Sequence, residues 1–434
     1  MLINFRFSNY RSFRDPAELS MEALGVADHQ PSLLYHGTHK YLPGAAIYGK
    51  NGGGKSNVIR AFWLGVQFIR NAQRTQHESA SVPVRPFALN DYSESQPTSF
   101  EYQYILDDIR YTYGFSATRE KILSEYLSFA PKGRKTVVFE RKGQQFTFPK
   151  NQDKKLKELI SRTVAENQLF FSIACTMNYK PCICAMKWFR DYIYFSRNYT
   201  DIQEQIAKNA EDPDMLKAIV SYAKRADVGI ENMKFEVGNV DFDGNKMLPA
   251  NMPENVKEAF ANFMHALAAP SSDAEAKLKI SEVKASSLHK GVNRNGKSQS
   301  YQLGLFDESD GTRSLMAIAP AIERVLNCGG LFMADELDKG MHPTLVKQIV
   351  ALFQSPKTNR SGAQIVFTTH DTELLNLELL RKDQLYFVDK NRDSGASELY
   401  GLDEYATHTR DNIQKGYMAG KYGAVPDIEI EEIE

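Results

Sequence analysis

Gly49-Lys50-Asn51-Gly52-Gly53-Gly54-Lys55-Ser56 fits the pattern GxxxxGK[ST], which cradles phosphate when a strand enters it and a helix leaves it. Glycines are required there because backbone amides must close round phosphate oxygens where a Cβ would intrude. The positive end of the following helix faces the same anion. Lys55 would reach the β and γ oxygens and Ser56 would ligate magnesium, with Asn57 beside them among the nucleotide-binding residues. The plain alternative is a glycine-rich turn that binds nothing. The apolar run Gly44–Tyr48 before the loop and the helical periodicity of Ser56–Arg70 after it (Val58, Ile59, Phe62, Val66, Ile69) argue against that.

A second element is the apolar strand Gly330-Leu331-Phe332-Met333-Ala334 ending in Asp335-Glu336. Asp335 would hold a magnesium ion through water, and Glu336 would act as general base on the attacking water. Many strands end in acids for solubility, so the weight comes from the flanks. Upstream, Glu308-Ser309-Asp310-Gly311-Thr312-Arg313-Ser314 opens a helix and would present free amides to an anion, although Ser309 could equally be a simple N-cap. Downstream, the strand Gln364–Thr368 delivers Thr369-His370-Asp371; a histidine at a strand end is usually just a satisfied polar residue, but the order of loop, serine-glycine turn, Asp-Glu strand and histidine strand favours His370 as a γ-phosphate sensor.

In this order the four motifs resemble the Walker A, signature, Walker B and switch-histidine motifs of ABC-type ATPases. The chain is similar to the RecF and OLD group, and within it to the RloA-like AAA-15/AAA-21 ATPases of prokaryotic phage-defence and abortive-infection loci. Residues Asn9–Phe13, Ser309–Arg313, Asp335–Asp338, His342-Pro343, Phe367–Asp371 and the late run from Lys415-Gly416-Tyr417 to Lys421–Pro426 carry that narrower similarity. The resemblance implies an α/β fold, an ABC-type P-loop head of mixed sheet plus antiparallel β meander with a mainly helical insertion. It implies ATP and Mg2+ as cofactors and hydrolysis dependent on Lys55, Glu336 and His370. It also implies that Ser309, Asp310, Gly311 and Thr312 of one copy close over ATP held by another. The signature here is SDGT rather than SGGQ, which leaves open which contact Asp310 or Thr312 makes.

These motifs must be positioned by a chain of 434 residues, 42% hydrophobic and 25% charged, an ordinary globular composition. The expected lobes are residues 1–150 with the phosphate loop and an antiparallel subdomain, a mainly helical insertion over 151–275, and 276–434 with the remaining motifs. Residues 1–14 read as an edge strand. Turn signals at Asp107-Asp108 and Lys142-Gly143 in an aromatic, β-branched stretch indicate a meander. Residues 152–225 read as helices, and a further helix is expected over Glu254–Leu267. Lys55 and Asp335 lie 280 positions apart, much farther than in ring-type motors.

Lys and Arg total 53 against 54 Asp and Glu, so the chain does not coat nucleic acid by bulk charge. No signal peptide and no membrane-length apolar run appears, which suggests a cytoplasmic protein that needs no membrane. Cys175, Cys182 and Cys184 have no nearby histidine and read as buried thiols rather than zinc ligands. The basic residues between Lys132 and Lys157 read as a solvated face, and His289–Lys297 as a hairpin loop with nucleic-acid contact a minority option. Only 64 residues follow His370, too few for a Toprim nuclease, and no other nuclease constellation is visible. The expected function is therefore an ATPase acting as sensor or regulator in antiviral defence. Its partners would be a second copy of itself and a separate effector, a nuclease being one option. The competing reading is a DNA repair or recombination ATPase that clamps DNA between dimerised heads.

Overall fold

Apolar and aromatic residues produce the first strands, whose pleat turns successive side chains to opposite faces. In the computed structural model these are β1 (Leu2–Ser8) and β2 (Ala17–Ser20), followed by β3 (Leu34–His36), β4 (His39–Tyr41) and β5 (Gly44–Tyr48). The structure describes residues 1–26, 29–75, 80–131, 133–149, 153–196, 202–227, 229–241, 252–260, 279–408 and 411–425. Helix α1 (Lys55–Thr75) leaves the phosphate loop, and the meander β6 (Thr98–Leu106), β7 (Ile109–Ala117), β8 (Ile122–Ala130), β9 (Thr136–Lys142) and β10 (Gln145–Thr147) follows. The β6–β7 turn uses Asp107 and Asp108 at φ 49° and 59°, the left-handed pair that a tight hairpin demands. The sheet order is β10-β9-β8-β7-β6-β1-β2. β1 is thus not an edge strand: β2 covers its outer side in antiparallel register, Asn4 opposite Ser20 and Phe7 opposite Ala17.

Helices α2 (Lys154–Thr163), α3 (Phe170–Thr176) and α4 (Lys180–Asp191) follow as the periodicity requires, but the expected helical run is broken by a strand, β11 (Ile193–Ser196). A four-residue apolar run shows too little periodicity to betray its type, and its partner β15 (Leu331–Ala334) is far away in sequence. The chain forms two compact units, one of Met1–Tyr199 with Ala321–Glu434 and one of Thr200–Pro320. The second contains α5 (Ile202–Lys208), α6 (Pro213–Ala226) and the antiparallel sheet β12 (Ile230–Asp241), β13 (Lys279–Val292), β14 (Ser298–Gly304), and α7 (Asp310–Cys328) begins there. Of the expected helix Glu254–Leu267, residues 254–260 are helical; the rest lies outside the described residues, as does the acidic tail.

The first unit's other sheet has the order β11-β15-β16-β5-β17-β18, with β16 (Gln364–Thr368), β17 (Leu385–Lys390) and β18 (Ser397–Gly401). All neighbours are parallel except β17 and β18. Buried on both faces, β5, β15 and β16 read as continuous apolar runs. Helices α8 (Pro343–Gln354) and α9 (Ile413–Met418) complete the described elements used below.

An aromatic core joins the meander to α1 and α4. Tyr104 stacks on Trp188 at 4.2 Å, and Phe62 packs edge-on to Phe5 and Tyr102 at 4.9 and 5.2 Å. Each such pair adds about 0.5–1.5 kcal/mol beyond area burial. Cys182 lies fully inside this core and burial pushes the Cys175 thiol up to about 12, but Cys184, expected to be buried, is exposed. Among the described residues no helix is long and apolar enough to cross a membrane.

Candidate nucleotide site

The site is assembled at the carboxyl ends of parallel strands, where open α/β sheets bind ligands. β5 lies between β16 and β17 and turns sharply at its end into the glycine loop. Gly49, Gly52 and Gly54 have φ of 151°, 73° and 117°, in the region that favours glycine. A Cβ on Gly49 would stand 2.3 Å from the Val388 carbonyl oxygen. One on Gly54 would stand 2.6 Å from Ser397 Oγ and 2.8 Å from Ser12 Oγ. Gly54→Ala is therefore expected to distort the loop at a strain of about 1–3 kcal/mol, weakening ATP binding roughly 5- to 150-fold. Calorimetric titration of folded protein checks this, and unchanged affinity would show that the loop does not hold the phosphates.

Two serines brace the loop from other elements. Ser397 Oγ donates to the Gly53 carbonyl at 2.6 Å, and its amide donates to Ser12 O at 2.7 Å. Asn57 Nδ2 donates to Ser12 Oγ at 2.9 Å, so Asn57 acts here as a strut. Lys50 is held as a brace by Asp389, Nζ to Oδ1 2.9 Å. Lys55 is 5% exposed, and its ammonium donates to the carbonyls of Gly49 at 2.7 Å and Lys50 at 3.3 Å. Burial lowers its pKa, opposed by the nearby charges of Glu336, Asp335 and Asp338. The tertiary fold has thus brought Lys55 to the acids at the end of β15.

One hydroxyl orients both acids. Thr368 Oγ1, at the end of β16, donates to Asp335 Oδ1 at 2.8 Å and accepts from the Glu336 amide at 2.7 Å. The Leu337 amide donates to Thr368 O at 3.0 Å. Glu336 itself adopts φ 54°, a costly left-handed conformation for a residue with a Cβ. The exposed His370 follows, and its amide donates to Asp338 Oδ2 at 3.1 Å, tying the histidine loop to the turn after the acids. Tyr48 donates to Asp371 O at 3.1 Å, and burial raises the Asp371 pKa. The late run also packs here. Gln414 Nε2 donates to Thr372 Oγ1 at 3.1 Å, the Tyr417 hydroxyl donates to the Ala424 carbonyl at 3.2 Å, and its ring packs edge-on to Tyr48 at 5.9 Å.

A cleft of about 490 Å³ opens beside Asp335, lined among others by Arg11, Arg60, Arg85, Trp63 and Phe195. Arg60 Nη2 lies 3.9 Å from Asp335 Oδ2.

Gly49–Asn57, Asp335, Glu336 and His370 all belong to the first unit, whereas Ser309–Thr312 lie in the second. There Ser309 Oγ caps α7, accepting from the Thr312 amide at 3.1 Å and pairing with Thr312 Oγ1 at 2.8 Å. Thr312 is buried with its hydroxyl turned to that cap, while Ser309 and Asp310 are exposed and Asp310 accepts from Arg313. Below the turn, the buried Glu308 accepts from Ser287 Oγ and from His289 Nε2, the latter at 2.7 Å. Sequence reasoning missed Ser397, Asp389 and the Ser287–His289–Glu308 cluster. Nothing local marks them, since each acts through a partner distant in the chain.

The model of the family AAA_21, described as "AAA domain, putative AbiEii toxin, Type IV TA system", matches residues 45–376. Among solved structures, the chain resembles the SmcHead bound to the C-winged helix domain of ScpA (13% identity, 92% of this chain and 97% of that one, TM-score 0.39). It also resembles the recombination mediator protein RecF with ATP (11%, 92% and 97%, TM-score 0.36). A third likeness is cbiO1 from Clostridium perfringens (12%, 97% and 92%, TM-score 0.28). No curated protein matches. With its glycine loop and two acids converging at the strand ends, the chain belongs to the AAA_21 family and is a P-loop ATPase.

Proposed function

We propose that two copies of this ATPase share each ATP, and that the ATP state of the pair governs a separate effector in a prokaryotic antiphage system. The observation that carries the composite site is the exposure of two complementary half-sites. Ser309 and Asp310 present the start of a 19-residue helix to solvent, and His370 stands exposed at the edge of the carboxylate cluster. A helix start of that kind attracts an anion, and a triphosphate cradled by Gly49–Ser56 is such an anion. The toxin and Type IV wording of the family supports a role in a defence locus.

Within the site, the loop amides and Lys55 bind the phosphates and Glu336 takes the proton of the attacking water. His370 and a partner's Ser309–Gly311 turn complete the cage. The hard oxygen donors Ser56 and Asp335 suit Mg2+. When bound, Mg2+ neutralises the charge that develops on the phosphate oxygens. The arginines and aromatic faces of the cleft beside Asp335 suit the base and ribose.

Complementation tests the shared site. Lys55→Ala is expected to lose ATP binding and Ser309→Arg to block closure, so each alone is inactive. Mixed one to one, half the dimers should hold one intact site, restoring roughly a quarter of the wild-type rate. Absence of any recovery would show that each copy works alone. Co-purification with the product of the adjacent gene tests the effector.

A further inference from the structure

From Lys290 to Phe306 the chain carries Lys290, Arg294 and Lys297 and no acidic residue. The fold gathers this stretch into the outer part of the β13–β14 hairpin. Lys290 lies opposite Ser300 and Val292 opposite Ser298, and the turn closes through Asn293 with Gly296 at φ 73°. All three cations are exposed, and none has an ion-pair partner among the described residues. Two acids are hydrogen-bonded to this stretch: Glu231, across the sheet, accepts from Ser300 Oγ at 2.5 Å, and Asp307, at the far end from the turn, accepts from the Gly304 amide at 3.0 Å. Tyr301, 40% exposed, lies across Gly291, where a Cβ would meet its ring at 2.7 Å. His289 and Tyr301 are cross-strand partners and share a face with Gly291, while Lys290 and Ser300 share the other, so the bare glycine leaves room for a flat aromatic face between His289 and the Asn293 turn.

Separated cations, an aromatic face and neutral hydroxyl and amide groups match the chemistry of single-stranded nucleic acid. Phosphates meet the cations and a base stacks on the ring. The hairpin is also wired inward. His289, next to Lys290, donates to Glu308, and Glu308 immediately precedes the Ser309 cap. We infer that this hairpin binds single-stranded nucleic acid and that its occupancy reaches the Ser309–Gly311 turn through the His289–Glu308 bond. The relay rests on the reading of that turn as the ATP-closing signature; the binding surface does not.

The test uses the full chain, a fluorescent oligothymidylate and an oligouridylate, with anisotropy over a salt series and hydrolysis measured in parallel. Wild-type affinity should fall with salt, and oligonucleotide should change the hydrolysis rate. Replacing Lys290, Arg294 and Lys297 together by Gln should flatten the logarithmic salt slope by about 2, at ~0.7 per phosphate contact. Basal hydrolysis should stay unchanged while the oligonucleotide response disappears. Tyr301→Ala should weaken binding roughly 5- to 150-fold. His289→Ala should bind oligonucleotide normally yet lose the response, and His289→Gln, which keeps a donor, should restore part of it. The inference is overturned if wild-type binds neither oligomer, or if the triple variant keeps its affinity and slope. Equal competition by polyglutamate, which would mark an acidic protein site, or binding without any change in hydrolysis would also overturn it. Basal hydrolysis and complementation without oligonucleotide judge the shared ATP site separately.

Discussion

Glu336→Gln should retain ATP while hydrolysing it about 10²- to 10⁴-fold more slowly, equivalent to ~3–5 kcal/mol on the barrier. The change is close to isosteric, and the backbone that aims residue 336 is held independently of its side chain. Its amide donates to Thr368 Oγ1 at 2.7 Å, and the next amide donates to Thr368 O at 3.0 Å. The left-handed φ of 54° should therefore survive substitution. Only the capacity to accept a proton is lost, because a carboxamide is not a base at neutral pH. Rate and binding are then separable: single-turnover hydrolysis falls while ATP affinity holds. Under the shared-site reading the variant should also double its mass in ATP, since closed pairs no longer discharge. Near wild-type hydrolysis would assign the base elsewhere, and unchanged mass with ATP bound would count against pairing.

Arg141→Ala should destabilise the first unit by about 3–5 kcal/mol, because it strands a buried carboxylate. Arg141 Nη1 lies 3.4 Å from Glu125 Oε2 with both side chains fully buried. Glu125 also accepts from the amides of Phe170 and Phe171 at 2.8 and 2.9 Å and from Tyr113 at 3.0 Å. Arg141 further donates to the carbonyls of Gly143 and Gln168 at 2.7 and 2.5 Å. Two meander strands thereby hold the start of α3, which is bonded in turn to the helix of the phosphate loop, Ser172 Oγ to Ile69 O at 2.8 Å. Burial raises the Glu125 pKa in the native protein against the lowering effect of Arg141.

The sign of the pH dependence follows from that direction. A carboxyl whose folded value lies above its unfolded one, ~4.3, favours the folded state while protonated, and loses that advantage as pH rises through the window between the two values. Removing Arg141 raises the folded value further, so the deficit of Arg141→Ala should grow from pH 5 to pH 7. Urea midpoints at the two pH values test this. The double variant Glu125→Gln, Arg141→Met should recover much of the loss, having no stranded charge. A single variant as stable as wild type would mean that water or another group satisfies Glu125.

The chemistry-bearing pieces were legible because each is local. The glycines of Gly49–Ser56 need left-handed torsions, and a continuous apolar run ending in Asp335-Glu336 needs a buried parallel strand. Both requirements are written in adjacent residues. The meander announced itself by period-two alternation and the Asp107-Asp108 turn. By contrast, β1 was misplaced at an edge because alternation reveals a strand's faces and not its neighbours. β11 was hidden because four apolar residues among helices carry no period.

Sequence by itself determined the glycine torsions, helix starts and strand ends on which the proposed triphosphate site rests, since these are properties of short segments. Only the tertiary structure decided that Ser397 and Ser12 wedge the loop, that Thr368 aims both acids, and that Glu308 anchors the helix start. Those arrangements depend on contacts between residues far apart in the chain. Such contacts form through shared burial and pairing across strands, and no local pattern records them.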